Sequence, residues 1–483
     1  MKSCVLFFFF FYLASPISSI TAPPPPGIKL QIRENAKDVL KDLGLMYLKG
    51  LVNKQFPIDD ICLPIKSVNL TDLQVDPAKV DFKFQENIGV QIEIKDMNFS
   101  LEIQREAKVP FTQIKIIEGT TTLTAEGVTA TITVRMNQNP QGHLNVEIPR
   151  DNCTIKADTI RTTSSGLTGF LLDSLQYFRL YLYLFNDKIC PALQPMINNK
   201  LKDLPMMSTV YEDHQLDLDY SLSSDIEVTS SSLDISFKGL LSVHGKAVDP
   251  GSIRPGREPV FTETNKMVYV GISEFFFNGA AMAIYKSGPF EFNVPEMEGL
   301  LVGLGQKIME IKPGPWTAEL IEAPIIEISN DDLSATAYFK AQRKAKLNGF
   351  LMTCRFKMDI EFKERLLIMN IQEPKCKEKA GKIKGKFLVR RQCSNRFTSI
   401  SLYQQIFIII IIIIIITCVS LFVQAFLVNV FHERITKSLV KEIPIPLPAE
   451  LSLINATNQF EEGYLVVGGS LTFNPQNSSN AGG

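Results

Sequence analysis

Between about Cys62 and Ile160 the chain alternates apolar and polar residues with a period of two. Val90-Gln-Ile-Glu-Ile-Lys, Thr121-Thr-Leu-Thr-Ala-Glu and Val128-Thr-Ala-Thr-Ile-Thr-Val-Arg each give a strand with one greasy face and one wet face. Turn residues such as Asn139-Pro-Gln-Gly separate the runs, which predicts an antiparallel meander. Ahead of it, Gly27 to Arg33 reads as a short strand. Glu34 to Asn53 reads as a helix, with Ala36, Val39, Leu40, Leu43, Met46, Tyr47 and Leu51 on one stripe. A second helix is predicted over Leu167 to Lys202, rich in Leu and aromatics and interrupted by Pro191 and Pro195. Strands resume from Leu216 to Val243 and again, after a Pro- and Gly-containing stretch from Val248 to Pro259, as far as Ile371. Within the later group, Met267-Val-Tyr-Val-Gly-Ile-Ser-Glu-Phe-Phe-Phe-Asn278 reads as a strand with three phenylalanines near its end.

The order helix, strands, helix, strands, linker, strands predicts an α+β protein of two modules, each a twisted antiparallel sheet wrapped on a long helix. A bent sheet with an apolar interior, plugged by an amphipathic helix, leaves a slot suited to a lipid tail. The candidate lining is Leu40, Leu43, Met46 and Tyr47 on the first helix and Phe170, Leu171, Leu175, Phe178 and Tyr181 on the second. Taken singly, each of these residues is also what an ordinary core would contain.

Two stretches depart from the soluble pattern. Lys2, the apolar run Val5 to Ala14 and the small residues Ser19 and Ala22 read as a secretory signal over residues 1–19. Lys375 to Arg396 carries nine basic residues, and Ile406 to Phe431 is almost wholly apolar, with nine consecutive Ile from Ile408 to Ile416. Its length would span a bilayer. Its basic flank would then lie on the lumenal side, against the positive-inside tendency. The reading adopted is an insertion over 377–423, with a membrane span or a buried segment as alternatives. An exported chain permits disulfides and glycans. Sequons begin at Asn69, Asn98, Asn152, Asn455 and Asn477. Cys4 falls in the signal, and Cys62, Cys354 and Cys376 have no partner assignable from the sequence.

Charge narrows the function classes. The 50 Lys+Arg against 51 Asp+Glu exclude a nucleic-acid binder of the ordinary basic kind. The four histidines, His143, His214, His244 and His432, lack metal spacing, and no nucleophile elbow or phosphate loop appears, so neither an enzyme nor a cofactor is expected.

Four places together resemble one family. They are Pro26-Gly-Ile-Lys-Leu-Gln-Ile-Arg, the pair Cys153 and Cys190, the run Met267 to Asn278, and Ile443-Pro-Ile-Pro-Leu-Pro-Ala-Glu-Leu with Tyr464-Leu-Val-Val-Gly-Gly. The chain resembles the bactericidal/permeability-increasing protein, lipopolysaccharide-binding protein and plasma lipid transfer protein family. That resemblance implies a boomerang of two barrels joined by a central sheet, one apolar pocket per barrel for a phospholipid, and a Cys153–Cys190 disulfide. It also implies the boundaries: an N-terminal barrel with part of the central sheet over 27–245, a linker over 246–260 and a C-terminal barrel over 261–474. Members that bind lipopolysaccharide share basic residues at the first barrel's tip. Here the matching stretch, Gln104-Arg-Glu-Ala-Lys-Val-Pro-Phe, mixes charges, and residues 27–220 hold 21 basic against 25 acidic side chains, a net of −4. An anionic glycolipid needs counter-charge.

The expected function is therefore a secreted glycoprotein that binds or transfers a phospholipid or related lipid, with a membrane or lipoprotein surface as a further partner. The alternatives are an innate-immune binder of bacterial lipopolysaccharide and a single-pass membrane adhesion or receptor protein using Ile406 to Phe431.

Overall fold

A computed structural model describes residues 24–57, 65–108, 115–165, 190–202, 206–211, 215–243, 245–294, 313–343, 349–372, 375–378, 442–448 and 450–475. The signal region, the first part of the second helix, and the Ile-rich segment lie outside the described residues, as do Cys62, Phe170, Leu171, Leu175, Phe178, Tyr181 and Asn477. Among the described residues no helix is long and apolar enough to cross a membrane.

The architecture is mostly antiparallel sheet with few helices. Two eight-stranded sheets are built from residues 55–164 and 290–444, and a four-stranded sheet from residues 207–247. A six-stranded sheet joins the two halves of the chain. Its order is Glu227–Val228, Ser232–Phe237, Ile28–Arg33, Val268–Ser273, Tyr464–Phe473, Leu451–Glu461. At its centre Ile28–Arg33 and Val268–Ser273 run antiparallel, with Leu30 opposite Val270. Each of these two strands leads into a 13-residue helix, α1 (Lys37–Lys49) after the first and α3 (Glu274–Lys286) after the second. A large antiparallel sheet follows each helix, so the chain repeats one plan twice.

The period-two pattern explains the long strands. Gly89–Lys108 and Lys115–Gln138 pair along almost their whole length, setting Leu101 opposite Leu123 and Phe99 opposite Ala125. Twenty-residue strands cannot stay flat, and here the register shifts on both sides of Met97. Asp96 takes a left-handed backbone there, as does Gly127 on the partner strand. Gly127 is needed twice over, for its left-handed backbone and because a Cβ would sit 2.5 Å from the Asp158 carboxylate; its N–H donates to Asn98 Oδ1 at 2.9 Å. These bulges bend the sheet around its apolar face.

Three sequence expectations change. The phenylalanines of the Met267–Asn278 run belong to a helix, because the strand stops at Ser273. Ser273 is the N-cap: its backbone is extended, its Oγ accepts from the Phe276 N–H at 3.4 Å, and Glu274 follows in the first turn. Serine followed by Glu is a helix-start signal that outweighs the alternation before it. The second change concerns Cys354 and Cys376, which form a disulfide between the strands Gly349–Lys363 and Lys375–Glu378. That paired strand reaches Glu378, into the stretch read from sequence as inserted. The third is the Pro-rich stretch after Val243, which is packed: Val248 and Ile253 are buried, Asp249 caps a 3-10 turn, and Pro259 lies on Gly271. No side chain fits at Gly271, where a Cβ would come 2.3 Å from Pro259 Cβ.

Candidate functional site

The bent sheet of residues 55–164 is apolar on one face only. Phe99, Leu101 and Ile103 on one long strand and Leu123, Ala125 and Val128 on its partner are buried together, and Ile155 of the neighbouring strand joins them. The opposite face is polar: Ser100 meets Thr124 at 3.3 Å, and Arg161 meets Glu126 at 3.3 Å. The inward row 99, 101, 103 ends in Arg105, which is buried and donates to the carbonyl of Ser165 at 2.7 Å. The one arginine of the tip stretch thus faces inward and ties down backbone; it does not add to an exposed basic surface.

Helix α1 lies between two cores. Val39, Leu40 and Leu43 pack against the large core shared by the central sheet and the C-terminal half. Leu45 and Leu48 pack into the core of the 55–164 sheet. Sequence reading took the stripe through Leu40, Leu43, Met46 and Tyr47 and missed Leu45, the helix's one buried residue. A helix with a single partner needs one stripe; a helix wedged between two cores shows apolar residues around more of its circumference. Leu40, Leu43 and Met46 are half-buried, while Tyr47 is 55% exposed. The Tyr47 hydroxyl lies 3.4 Å from Glu450 Oε2, and partial burial, with the Glu450 charge adding to it, raises its pKa. The structure therefore places Leu40 and Leu43 on an inner surface and Tyr47 at a contact with the C-terminal segment.

The Cys153–Cys190 disulfide closes this half. Cys153 begins a strand paired to Lys115–Gln138, Cys190 begins helix α2 (Cys190–Lys202), and both sulfurs are buried. Asn198 of α2 both donates to and accepts from the Val146 backbone at 2.8 Å, which fixes the helix against the sheet rim.

The C-terminal half repeats the scheme. Leu333, Ala335, Ala337, Phe339 and Ala341 form an inward row opposite Phe356, Cys354 and Met352, and Phe339 meets Phe356 edge-on at 6.3 Å. Ala335 faces Phe356, Ala337 faces Cys354 and Phe339 faces Met352. Trp316, the chain's single tryptophan, is buried on the adjoining strand.

Residues 211–300 match the model described as LBP / BPI / CETP family, C-terminal domain. That match shows the family resemblance. Human phospholipid transfer protein is 26% identical over 292 residues, which cover 55% of this chain and 54% of that protein. The chain thus spans about half the length of that relative. Bovine lipopolysaccharide-binding protein is 20% identical over 478 residues, covering 93% of this chain and 94% of its own. Human BPI fold-containing family C protein is 25% identical, covering 56% of this chain and 55% of its own. A crystal structure of lipopolysaccharide binding protein superimposes with a TM-score of 0.48 at 16% identity, covering 93% of this chain and 99% of that one. These relatives thus include a phospholipid transfer protein and a lipopolysaccharide-binding protein.

Proposed function

We propose that the protein is a secreted lipid carrier, not an enzyme, which shelters acyl chains against the apolar inner faces of its bent sheets. The observation that carries this reading is the one-sided 55–164 sheet: one face is apolar apart from Thr121 and Arg105 at the end of its row, while the other face is polar. Relative to water, burying an acyl chain there is worth about 0.8 kcal/mol per methylene, which holds a lipid once taken up without any polar recognition of the tail. The relatives named for phospholipid transfer support the same reading. The two modules, 27–245 and 261–474, would each offer such a surface, linked by 246–260.

The test is expression in a eukaryotic secretory host, with lipids co-purifying from the medium identified by native mass spectrometry. Phospholipid adducts on soluble protein are the expected result. Lipid-free protein that also fails to take up added phospholipid would overturn the proposal, and protein confined to the membrane fraction would favour the anchored alternative. A second reading, binding of bacterial lipopolysaccharide, draws on the match to lipopolysaccharide-binding protein along 93% of the chain. The inward-facing Arg105 and the acidic balance of residues 27–220 weigh against it. Endotoxin competition against bound phospholipid separates the two.

A further inference from the structure

The face of the central sheet turned away from the main core carries a cavity unrelated to the acyl-chain surfaces. In the strand Val268–Ser273, Val268, Val270 and Ile272 point into the core, while Tyr269 and Gly271 point the other way. Residues 259–266 cross this second face. They are held by Pro259 against Gly271 and by the Tyr269 hydroxyl, which donates to Asn265 Oδ1 at 2.9 Å and accepts from the Lys266 N–H at 3.0 Å. Between this crossing segment and the hairpin Leu451–Phe473 lies a cavity of about 250 Å³. A single water needs only about 10–15 Å³ by a comparable measure, so the space accepts a small organic group.

The lining has a definite chemistry. Phe261 and Tyr269 bring two rings with centroids 5.9 Å apart, inclined at 34°. Tyr269 is the buried floor and Phe261 the half-exposed wall. The floor is laid flat because Gly468 lies beneath it: a Cβ there would fall 2.9 Å from the tyrosine ring. Glu263 and Glu461 supply two carboxylates, and one Glu461 oxygen is fixed by the Gln459 side-chain amide at 2.7 Å. Among the described residues the lining contains no Lys, Arg or His, and the Lys266 stem passes 3.0 Å from where a Cβ on the lining residue Gly468 would sit. The half-exposed Phe261 ring, backed by the buried Tyr269 and flanked by two carboxylates, matches a weakly hydrated positive group.

We infer that this cavity binds a quaternary ammonium group. Such a group reaches an extracellular protein either as a free small cation or as the choline headgroup of a lipid layer. The lipid form would let the central sheet engage a choline-rich surface while the acyl-chain surfaces act separately.

Calorimetry on the full chain tests this with choline and its neutral carbon isostere 3,3-dimethyl-1-butanol. Saturable choline binding, at least tenfold tighter than that of the isostere, is expected. Phe261→Leu and the double variant Glu263→Gln, Glu461→Gln should each weaken it at least fivefold with unchanged circular dichroism. Glu263 is exposed, so the carboxylate variants remain informative if the ring variant misfolds. Equal binding of the isostere, no saturable choline binding, or variants that bind as the parent would overturn the inference. Flotation with phosphatidylcholine vesicles, with phosphatidylglycerol vesicles as control, then assigns the source. Competition by choline points to the lipid headgroup; choline binding without competition points to the free cation. Lipid loading by mass spectrometry is read separately, so failure of the carrier proposal leaves this result interpretable.

Discussion

Replacing Ser273 by alanine tests how the two halves are fastened. The residue is fully buried, and its hydroxyl serves two ends at once. It donates to the carbonyl of Pro26 at 2.8 Å, at the start of the first strand, and accepts from the Phe276 N–H in the first turn of α3. The Ser273 N–H also donates to the Gly27 carbonyl at 3.0 Å, a bond the substitution leaves in place. Loss of the cap costs about 1 kcal/mol. Leaving a buried carbonyl without its donor costs roughly 1–3 kcal/mol more. The sum is about 2–4 kcal/mol. With a urea slope near 3 kcal/mol/M, the midpoint should fall by roughly 1 M. Ser252→Ala is the control, since that exposed hydroxyl donates to Asp249 O at 2.7 Å within its own turn. A Ser273→Ala shift no larger than the control's would refute the idea that this one hydroxyl joins the halves.

Three further outcomes are expected. Replacing Cys153 and Cys190 by serine opens a loop of 37 residues and should cost about 4 kcal/mol by chain entropy, read as a lowered midpoint of the sheet transition; an unchanged midpoint would remove the disulfide from the stability argument. Glu274 is buried at the start of α3, and its pKa is raised chiefly by desolvation, against the pull of Arg254 and the Ile328 N–H and with help from Glu327 and Glu462. A raised folded pKa means that its contribution is present below the unfolded value and is lost as pH rises through the folded one, so Glu274→Gln should gain stability over the parent at pH 7 and little at pH 4; equal differences at both would argue against it. Of the sequons, Asn455 is exposed at a bulge with a left-handed backbone, whereas Asn69 lies on a strand paired on both sides with its Oδ1 buried; glycopeptide mapping should find Asn455 occupied and Asn69 bare, and the reverse would contradict the strand assignment.

The fold was legible where periodicity is long. Alternation over Val90–Arg135 marks the paired strands, and the 3.6-residue stripe marks α1, because each signal is repeated often enough to outweigh local noise. It failed where one residue decides. Ser273 ends a strand and begins a helix within a single step, and alternation read straight through it. The Cys354–Cys376 pair was hidden because the returning strand is four residues long and sits in a basic, apparently foreign stretch. Leu45 was missed because sequence shows how many apolar faces a helix has only once its neighbours are known. The aromatic and acidic lining on the outer face of the central sheet had no motif at all, since Phe261, Tyr269 and Glu461 come from segments that meet only after folding.

The central sheet also sets an order of events during biosynthesis. Ile28–Arg33 can find Ser232–Phe237 and Val268–Ser273 once the first half and a little more have left the ribosome. Val268–Ser273, however, receives its other neighbour only from Tyr464–Phe473, almost two hundred residues later. Until then the nascent chain carries Val-Tyr-Val-Gly-Ile-Ser with one row of backbone donors and acceptors open, the composition that recruits other strands. Any transcript ending before the last hairpin would leave that edge open permanently, and its product should be cleared or aggregate even though its first half is intact.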